Sequence, residues 1–365
     1  MATEDDRRAL LVLMHCASLT ARRLLELASV AGTARESLGA VLSGRAGTES
    51  DRAWAARVDP NEVDGRLRAA GARLVAVGEP DYPSELLDLF DPPAGLFVRG
   101  SSVAGLEPRI AVVGARNCSP TGREIAGRLA GALAGAGACV VSGAARGIDS
   151  SAHEGALAAG GRTVAVLGSG IDVAYPRKHR RLIELIEGSG AVVSEYPPGT
   201  PAEPFRFPAR NRIVAALSSA VVIVEGADGS GAMITVEHAL DVGRDIFAVP
   251  GAPTTALAQV PLALIRDGAT LIRGPQDLLD DLGLRQTTAL TAPNGAAAGS
   301  GRVGLSPAAR AVWDALTAPI TPDGLARSTS LPLSAVLAAA LDLELRGLIV
   351  QRGGRFERRP GAECH

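Results

Sequence analysis

Three residue types that serve in nucleophilic catalysis occur close together in the segment SGAARGIDSSAHEGAL, residues 142–157: Ser142, Asp149 and His153. Such residues can perform acyl transfer, because the histidine takes the serine proton and the aspartate orients the histidine. Ser142, however, does not stand in the G-x-S-x-G elbow that exposes a nucleophile, and Asp149 is placed to cap the helix that follows. We therefore predict structural roles for Asp149 and His153 instead of catalysis.

The same segment also contains a strand-to-helix turn. Gly143 and Gly147 suit a sharp passage, and Ser151 with Glu154 forms the S-x-x-E pattern of a helix-capping box. Arg146 lies within the turn, where its guanidinium can reach a bound anion. The segment thus predicts a ligand-facing wall that includes Gly143 and Arg146.

A second turn, GARNCSPTG at residues 114–122, offers a site for an anion. Gly114 permits close approach of the backbone, and Ser119 with Pro120 starts a helix whose free amides would face the anion. Arg116 stands where a guanidinium can bind a phosphate, although a tight turn with a solvated arginine explains the same pattern. Neither a G-x-G-x-x-G fingerprint nor the Gly-Lys-Ser/Thr ending of a P-loop is present.

Two loops, at residues 168–182 and 194–218, concentrate aromatic and basic residues in a chain of net charge −2. Their aromatic residues are Tyr175, Tyr196, Phe205 and Phe207, and their cations are Arg177, Lys178, Arg180, Arg181, Arg206, Arg210 and Arg212. Cationic side chains bind the phosphates of a strand, and aromatic rings stack on its unpaired bases. The pattern is therefore typical of single-stranded nucleic-acid binding. The predicted contacts are Lys178, Arg206, Phe207, Arg210, Asn211 and Arg212, whereas Arg180 and Arg181 are predicted to be solvated.

The segment EGADGSGAMITVEHAL, residues 225–240, contributes a third glycine-rich turn before a helix. Ser230 and Gly231 would present backbone amides to an anion at that helix N-terminus. Glu237 can in principle act as a base, although a glutamate on the surface of a first helical turn is common.

These turns follow apolar runs of strand length: RIAVVGAR, ACVVSG, RTVAVLG, AVVSEY, AVVIVEG and DIFAVPG. Strands without polar alternation are buried on both faces, as in a parallel sheet between two helical layers. Helical patterns separate most of the runs. The sequence therefore predicts a doubly wound α/β fold, in which ligands bind at the carboxyl ends of the strands.

The chain divides into four segments by pattern. Residues 1–70 read as a small helical domain and residues 71–284 as the α/β domain, with short strands at Leu74–Val77 and Leu96–Arg99 before the main series. The small polar residues of 285–301 indicate a flexible linker. Residues 302–365 contain three helical patterns and a hairpin, as in a winged helix.

Composition excludes several classes of protein. With 47% hydrophobic residues the chain can form a core, and its four cysteines lack the CxxC spacing of structural zinc sites. The acidic start MATEDD is unlike a signal peptide, and no apolar run reaches membrane-spanning length. We expect a cytoplasmic protein that needs no metal or cofactor and does not bind a membrane.

Taken together, the segments VVGAR, SGAARGIDSSAHEGALAAGG, SEYPPGTPAEPFRFPARNRIVAALS and VVIVEGADGSGAMITVEHAL resemble the DprA (Smf) family of DNA-processing proteins. The resemblance is close over residues 75 to 284. It implies a Rossmann-like domain between an N-terminal SAM/HhH-like helical domain and a C-terminal winged helix. The implied function is not enzymatic: binding and protecting incoming single-stranded DNA during natural transformation, and helping to load the RecA recombinase, as a homodimer.

Carried over by position, the resemblance makes Arg116 a DNA contact and assigns Phe207, Arg210, Asn211 and Arg212 to the F-x-x-R-N-R part of the pocket. It places Gly143 and Ser230–Gly231 in turns that line the pocket. Glu237 departs from the small residue of the family pattern. The last helix of the winged domain, PLSAVLAAALDLELR, has almost no basic residues, so protein docking suits it better than duplex reading.

Two enzymatic alternatives remain open from the sequence. The turn GSGAMITVE loosely resembles that of the Lonely Guy phosphoribohydrolases, which would make Glu237 the base of a nucleotide- or phosphoribose-processing enzyme. A nicotinamide-dependent oxidoreductase is disfavoured, because G-x-G-x-x-G and an acidic ribose ligand at the expected distance are both absent.

Overall fold

The computed structural model describes residues 3–285, 307–316, 318–345, 348–352 and 355–358. The chain forms two compact units, Met1–Leu290 and Thr291–His365. Beyond Arg285 the predicted linker lies outside the described residues.

The first unit begins with five helices whose N-termini are capped by side chains. Their bounds are α1 (Glu4–Leu13), α2 (Ala21–Ala31), α3 (Ala34–Leu42), α4 (Glu49–Arg57) and α5 (Pro60–Ala69). A threonine caps each of the first four and Asp59 caps the fifth, which satisfies amides that have no partner within the helix. Val12, Leu13 and Val41 form part of the apolar core between the helices.

Within residues 3–285, nine strands form one sheet. They are β1 (Arg73–Ala76), β2 (Gly95–Gly100), β3 (Arg109–Val113), β4 (Cys139–Ser142), β5 (Thr163–Leu167), β6 (Ala191–Ser194), β7 (Ala220–Ile223), β8 (Asp245–Ala248) and β9 (Thr270–Leu271). The spatial order is β1-β2-β6-β5-β4-β3-β7-β8-β9. The strands from β3 to β9 pair in parallel, whereas β2 joins both of its neighbours antiparallel. Each predicted apolar run is a strand, and the α/β fold is confirmed.

Seven helices cover this sheet: α6 (Pro120–Gly135), α7 (Ile148–Ala158), α8 (Arg180–Ser189), α9 (Arg206–Ala216), α10 (Gly231–Asp241), α11 (Gln259–Arg266) and α12 (Pro275–Asp281). Alternate residues of β3 pack on opposite layers. Ile110 belongs to the core that contains α6 and α7, and Ala111 belongs to the core that contains α9 and α10. Burial of both faces explains why the strands lack polar alternation.

The order of the strands creates a switch point next to β3. From β3 the chain proceeds through β4 and β5 to β6 in one direction, and then returns to place β7 on the other side of β3. The connections therefore diverge on either side of β3, which leaves a crevice at the carboxyl ends of the strands.

The second unit contains α13 (Pro307–Ala315), α14 (Pro322–Thr329), α15 (Leu333–Leu345), β10 (Ile349–Arg352) and β11 (Arg355–Arg358). The two strands pair antiparallel, as predicted for a winged helix. Trp313, Leu325 and Phe356 lie in the shared core. The turn of the predicted hairpin, at residues 353–354, lies outside the described residues. In the described part of the chain, no helix has the length and apolar character needed to span a membrane.

Candidate functional site

A cleft of about 510 Å³ opens at the carboxyl ends of β3, β4 and β7 and is closed on one side by the first turns of α9 and α10. It lies at the switch point of the sheet. Residues from all of these elements line it, including seven of the predicted contacts: Gly114, Arg116, Gly143, Arg210, Asn211, Ser230 and Gly231. Three separate glycine-rich turns thus meet at one site, because the ends of parallel strands share an edge.

Beside the cleft lies a smaller recess of about 50 Å³, lined by Arg116, Arg146, Tyr175 and Phe207 among others. The Arg116 guanidinium carbon is 5.1 Å from the centroid of the Phe207 ring, and the centroid of the Tyr175 ring is also 5.1 Å from it. A Cβ at Gly168 would lie 2.8 Å from Phe207 Cδ1, so the glycine makes room for the ring. We name this set of residues the aromatic recess.

Arg210 lies beneath the cleft and is 3% exposed. Its guanidinium donates to the carbonyl oxygen of Gly143, at 2.7 Å, and to that of Val166, so it joins the ends of β4 and β5. A Cβ at Gly143 would overlap this guanidinium. Burial lowers the pKa of Arg210 to about 10, which leaves it protonated at neutral pH. Position 143 must therefore be glycine to leave space for the Arg210 guanidinium. Arg210 in turn supplies a fixed positive charge.

Asp149 organises the turn between β4 and α7. Its carboxylate is buried and accepts hydrogen bonds from the amides of Gly143 (3.2 Å) and Ala145 (3.3 Å). Ala144 between them has a left-handed φ of 53°, and in this conformation of the turn both amides face the Asp149 carboxylate. Burial raises the pKa of Asp149, and the positive charge of Arg210 opposes the rise.

The predicted capping of α7 by Asp149 or Ser151 is wrong. The N-cap is Gly147, with φ of 84°, and no side chain caps this end. Asp149 already belongs to the first turn of the helix. Its carboxylate reaches back to the preceding turn instead of forward to the helix amides.

Ser142 and His153 are both engaged elsewhere. The Ser142 hydroxyl donates to the carbonyl oxygen of Val112 at 2.7 Å, and His153 Nδ1 lies 2.7 Å from Thr163 Oγ1. The Thr163 hydroxyl donates to Val140, so His153 Nδ1 must be the donor in its own bond. Burial lowers the pKa of His153 to about 3, which keeps the ring neutral. Serine, histidine and aspartate are therefore separate structural groups.

The N-terminus of α6 carries a carboxylate that the sequence analysis missed. Ser119 is the N-cap as predicted, and its hydroxyl accepts from the Gly122 amide. The Glu225 carboxylate accepts from the Ser119 amide at 2.8 Å and from its hydroxyl at 2.5 Å. A Cβ at Gly122 would overlap this carboxylate. The expectation that the α6 amides face a bound anion is therefore wrong, because an acidic side chain of the protein occupies that position.

The N-terminus of α10 differs from that of α6. No side chain caps it, and Ser230 Oγ is buried without a hydrogen-bond partner in the part of the chain that the structure describes. The Asn211 amide group donates to the carbonyl oxygen of Gly231 at 3.2 Å, which ties α9 to this end of α10. The start of α10 therefore offers donors to the cleft.

Three predicted contacts lie outside the cleft and the aromatic recess. Arg212 is 5% exposed and pairs with Asp91 (3.1 Å) and Glu195 (2.6 Å). It lies two positions after Arg210, so it points to roughly the opposite side of α9. A ligand contact by Arg212 is not supported.

Arg206 and Lys178 are also placed elsewhere. Arg206 pairs with Glu203 at 2.9 Å, and its guanidinium lies over the rings of Tyr196 and Phe205, in a pocket that faces the N-terminal helices. Lys178 is exposed on the short turn Arg177–His179, next to α6 and α7. Neither residue lines the cleft.

Glu237, the discriminating residue of the phosphoribohydrolase alternative, is exposed on α10. It is not among the residues that line the cleft, although Ile234 and Thr235 of the same helix are. The position gives no support to its use as a base in this site.

Two family descriptions match the chain. Residues 73–283 match DNA recombination-mediator protein A, and residues 296–355 match the DprA winged helix domain. The first match lies within the predicted α/β domain and the second within the C-terminal unit.

Curated relatives agree with these matches. The chain is 35% identical over 313 residues to Protein Smf of Synechocystis, which covers 77% of this chain and 79% of the relative. It is 42% identical over 198 residues to the DNA processing protein DprA of Streptococcus pneumoniae, which covers 54% and 70% respectively.

Two solved structures are also similar. DprA of Streptococcus pneumoniae superposes with a TM-score of 0.68 at 33% identity, over 77% of this chain and 99% of that one. DprA of Helicobacter pylori, whose structure is described as showing its single-stranded DNA binding mode, superposes with a TM-score of 0.53 at 28% identity, over 58% and 97%.

Proposed function

Because the chain belongs to the DprA/Smf family and shares its role as a DNA-processing recombination mediator, we propose that its cleft and aromatic recess bind single-stranded DNA. The observation that carries this proposal is the position of Arg116 over Phe207, at the edge of the cleft. The related Helicobacter pylori protein, described as binding single-stranded DNA, supports it.

The aromatic recess has the chemistry of a base-stacking site. Tyr175 is 48% exposed, and Phe207 is half-buried beside it. Base stacking on an aromatic ring contributes about 1–3 kcal/mol per base and tolerates any base. In a duplex the bases already stack on each other, so a single strand suits this recess better.

The cleft supplies groups for the phosphates. Arg116 and Arg146 are exposed at its edge, and no carboxylate pairs with either in the described part of the chain. The buried charge of Arg210 and the open N-terminus of α10 add fixed donors. Since the net charge of the chain is −2, this local cluster, and not a general basic coat, would attract the strand.

We further propose the finer role implied by the family. The protein would bind and protect incoming single strands in the cytoplasm during natural transformation, help to load RecA onto them, and act as a homodimer. The role is one of binding and not of catalysis. The separate engagement of Ser142, Asp149 and His153 supports this, and so does the position of Glu237 outside the cleft.

A competition assay tests the proposal. The full-length protein is bound to labelled oligo-dT, and unlabelled oligo-dT, a duplex of equal length or a mononucleotide is added. The proposal expects oligo-dT to compete far better than the other two. Equal competition by duplex would contradict single-strand binding, and efficient competition by mononucleotide would favour a nucleotide-processing enzyme.

A further inference from the structure

An open groove of about 860 Å³ runs along the surface where α6 and α7 pack against each other. A Cβ at Gly155 of α7 would overlap the carbonyl oxygen of Gly127 of α6, so the two backbones are in contact. Gly127, Gly155, Ala158 and Ala159 line the groove. Its floor is therefore made of small residues, which leave the space above them free.

The walls of the groove carry cations and hydroxyl groups. Arg123 of α6 and Lys178 are both exposed, and neither is paired with a carboxylate in the described part of the chain. Ser150 and Ser151 contribute hydroxyl groups from the first turn of α7. Such donors suit the oxygens of a phosphodiester backbone.

Two carboxylates also line the groove. Glu124 is paired with Arg128 of the same helix at 3.8 Å, which neutralises both, and Glu154 is exposed on α7. Since no carboxylate pairs with Arg123 or Lys178 within the described residues, the cations at the groove outnumber the carboxylates. No phenylalanine, tyrosine or tryptophan is among the residues that line the groove, and the His179 ring is buried. The groove therefore offers contacts to phosphates but no exposed ring on which a base could stack.

A hydrogen bond holds a turn at the groove against a turn at the aromatic recess. His179 Nδ1 lies 2.9 Å from the carbonyl oxygen of Ala144, which fixes the turn that carries Lys178 against the turn that carries Arg146. Arg146 in turn lines the aromatic recess together with Pro176, two positions before Lys178. Arg146 at the recess and Lys178 at the groove therefore lie on turns that are held next to each other.

We propose that the groove between α6 and α7 is a second segment of the single-stranded DNA path, which binds phosphates of nucleotides that lie beyond the aromatic recess. The proposal rests on single-strand binding by the cleft and extends it. It predicts that a strand too short to leave the cleft and the recess gains nothing from Arg123 or Lys178, whereas a longer strand binds more tightly because of them.

The test measures the affinity of the full-length protein for oligo-dT of about 5 and about 20 nucleotides, one near the lower end of common single-strand site sizes and one longer than their upper end. The variants are Arg123→Glu and the double variant Arg123→Ala with Lys178→Ala. The matched control is Arg52→Ala, an exposed arginine on α4. The proposal expects at least a fivefold loss of affinity for the long strand, less than a twofold loss for the short one, and no change in the control. The salt slope of the double variant should fall by about 1.4 for the long strand, since each single-strand phosphate contact contributes about 0.7.

Unchanged affinity for the long strand would overturn the proposal, and so would equal losses at both lengths, because the residues would then act within the cleft. Arg116→Ala separates this failure from that of the proposed function. If Arg116→Ala weakens binding of the short strand while the groove variants have no effect, the groove proposal fails and the cleft proposal stands. If the wild-type protein binds neither strand, both fail.

Discussion

The guanidinium carbon of Arg116 lies 5.1 Å from the ring centroid of Phe207. Arg116 follows β3, whereas Phe207 is in the first turn of α9, so the contact joins two different strand–helix units. A cation near an aromatic face is attracted to the ring and limits its motion. This pair combines a phosphate-binding group and a stacking surface at one edge of the cleft, which is the combination that a single strand needs.

The contact between Gly143 and Arg210 predicts that adding one methyl group, in Gly143→Ala, lowers both stability and affinity. In Gly143→Ala the new Cβ would overlap the guanidinium, and Arg210 would have to leave the carbonyl oxygens of Gly143 and Val166. We expect the free energy of unfolding to fall by about 1–3 kcal/mol, and affinity for oligo-dT to fall with it. Urea denaturation and oligonucleotide titration measure the two effects.

Gly231→Ala is the matched control for that substitution. Gly231 lines the same cleft, but its Cβ would meet no atom within 4 Å. Its unfolding free energy should stay within about 0.5 kcal/mol of the wild type. Similar losses of stability in the two variants would contradict the assigned role of Gly143.

His153 predicts a specific pH dependence of stability. Its folded-state pKa of about 3 lies below the ordinary value of 6.5, so below pH 6.5 the unfolded chain binds a proton that the folded protein does not. The stability that the neutral ring contributes is present above pH 6.5 and is lost as the pH falls from there towards 3. Between pH 7 and pH 5 the loss should be about 2 kcal/mol.

The substitution His153→Gln isolates this effect, because glutamine does not titrate. The variant is expected to be less stable than the wild type at pH 7, since the site is fully buried. Its unfolding free energy, measured by urea denaturation at each pH, should nevertheless change less between pH 7 and pH 5. If both proteins lose the same amount over that range, His153 is not the titrating group.

Glu225 predicts opposite effects on stability and affinity. In Glu225→Gln the side chain keeps an acceptor for the Ser119 amide but loses the charge that stabilises the N-terminus of α6. The free energy of unfolding should fall by about 0.3–1 kcal/mol. Affinity for oligo-dT should rise by about twofold to fivefold, because a negative charge next to the cleft has been removed. Glu49→Gln removes a charge from the N-terminus of another helix, α4, so it controls for the effect on stability and should leave the affinity unchanged. A fall in affinity for Glu225→Gln would contradict the account.

The strands and the site edge could be predicted from local pattern. The apolar runs identify β3 to β8 because both faces of each strand are buried. Gly114, Gly143 and Ser230 could be placed at one edge because the ends of parallel strands meet there. These inferences need only the spacing of the apolar residues and the order of strands and helices along the chain. Both can be read from the sequence.

Side-chain directions could not be predicted in the same way. Arg210 and Arg212 are alike in sequence, and only the packing of α9 on the sheet decides that the first lies under the cleft and the second pairs with Glu195. Glu225 accepts hydrogen bonds from Ser119, the N-cap of α6, across a separation of 106 residues, which no local capping pattern reveals. The Asp149 carboxylate accepts a hydrogen bond from the preceding turn, in which Ala144 has a left-handed conformation. Alanine as a residue type does not indicate that conformation.

The cleft and aromatic recess are tested most directly by titrating labelled oligo-dT with Arg116→Ala, Phe207→Ala and the double variant over a range of salt concentrations. The pair Arg22 and Phe90 is the matched control, because the Arg22 guanidinium also lies over a phenylalanine ring, at 4.4 Å, away from the cleft. Phe207→Ala should cost about 1–3 kcal/mol of binding free energy and leave the salt slope unchanged. Arg116→Ala should weaken binding and lower the slope by about 0.7, while Arg22→Ala and Phe90→Ala change neither. Unchanged binding in both Arg116→Ala and Phe207→Ala, or equal losses in the control pair, would contradict single-strand binding at this site.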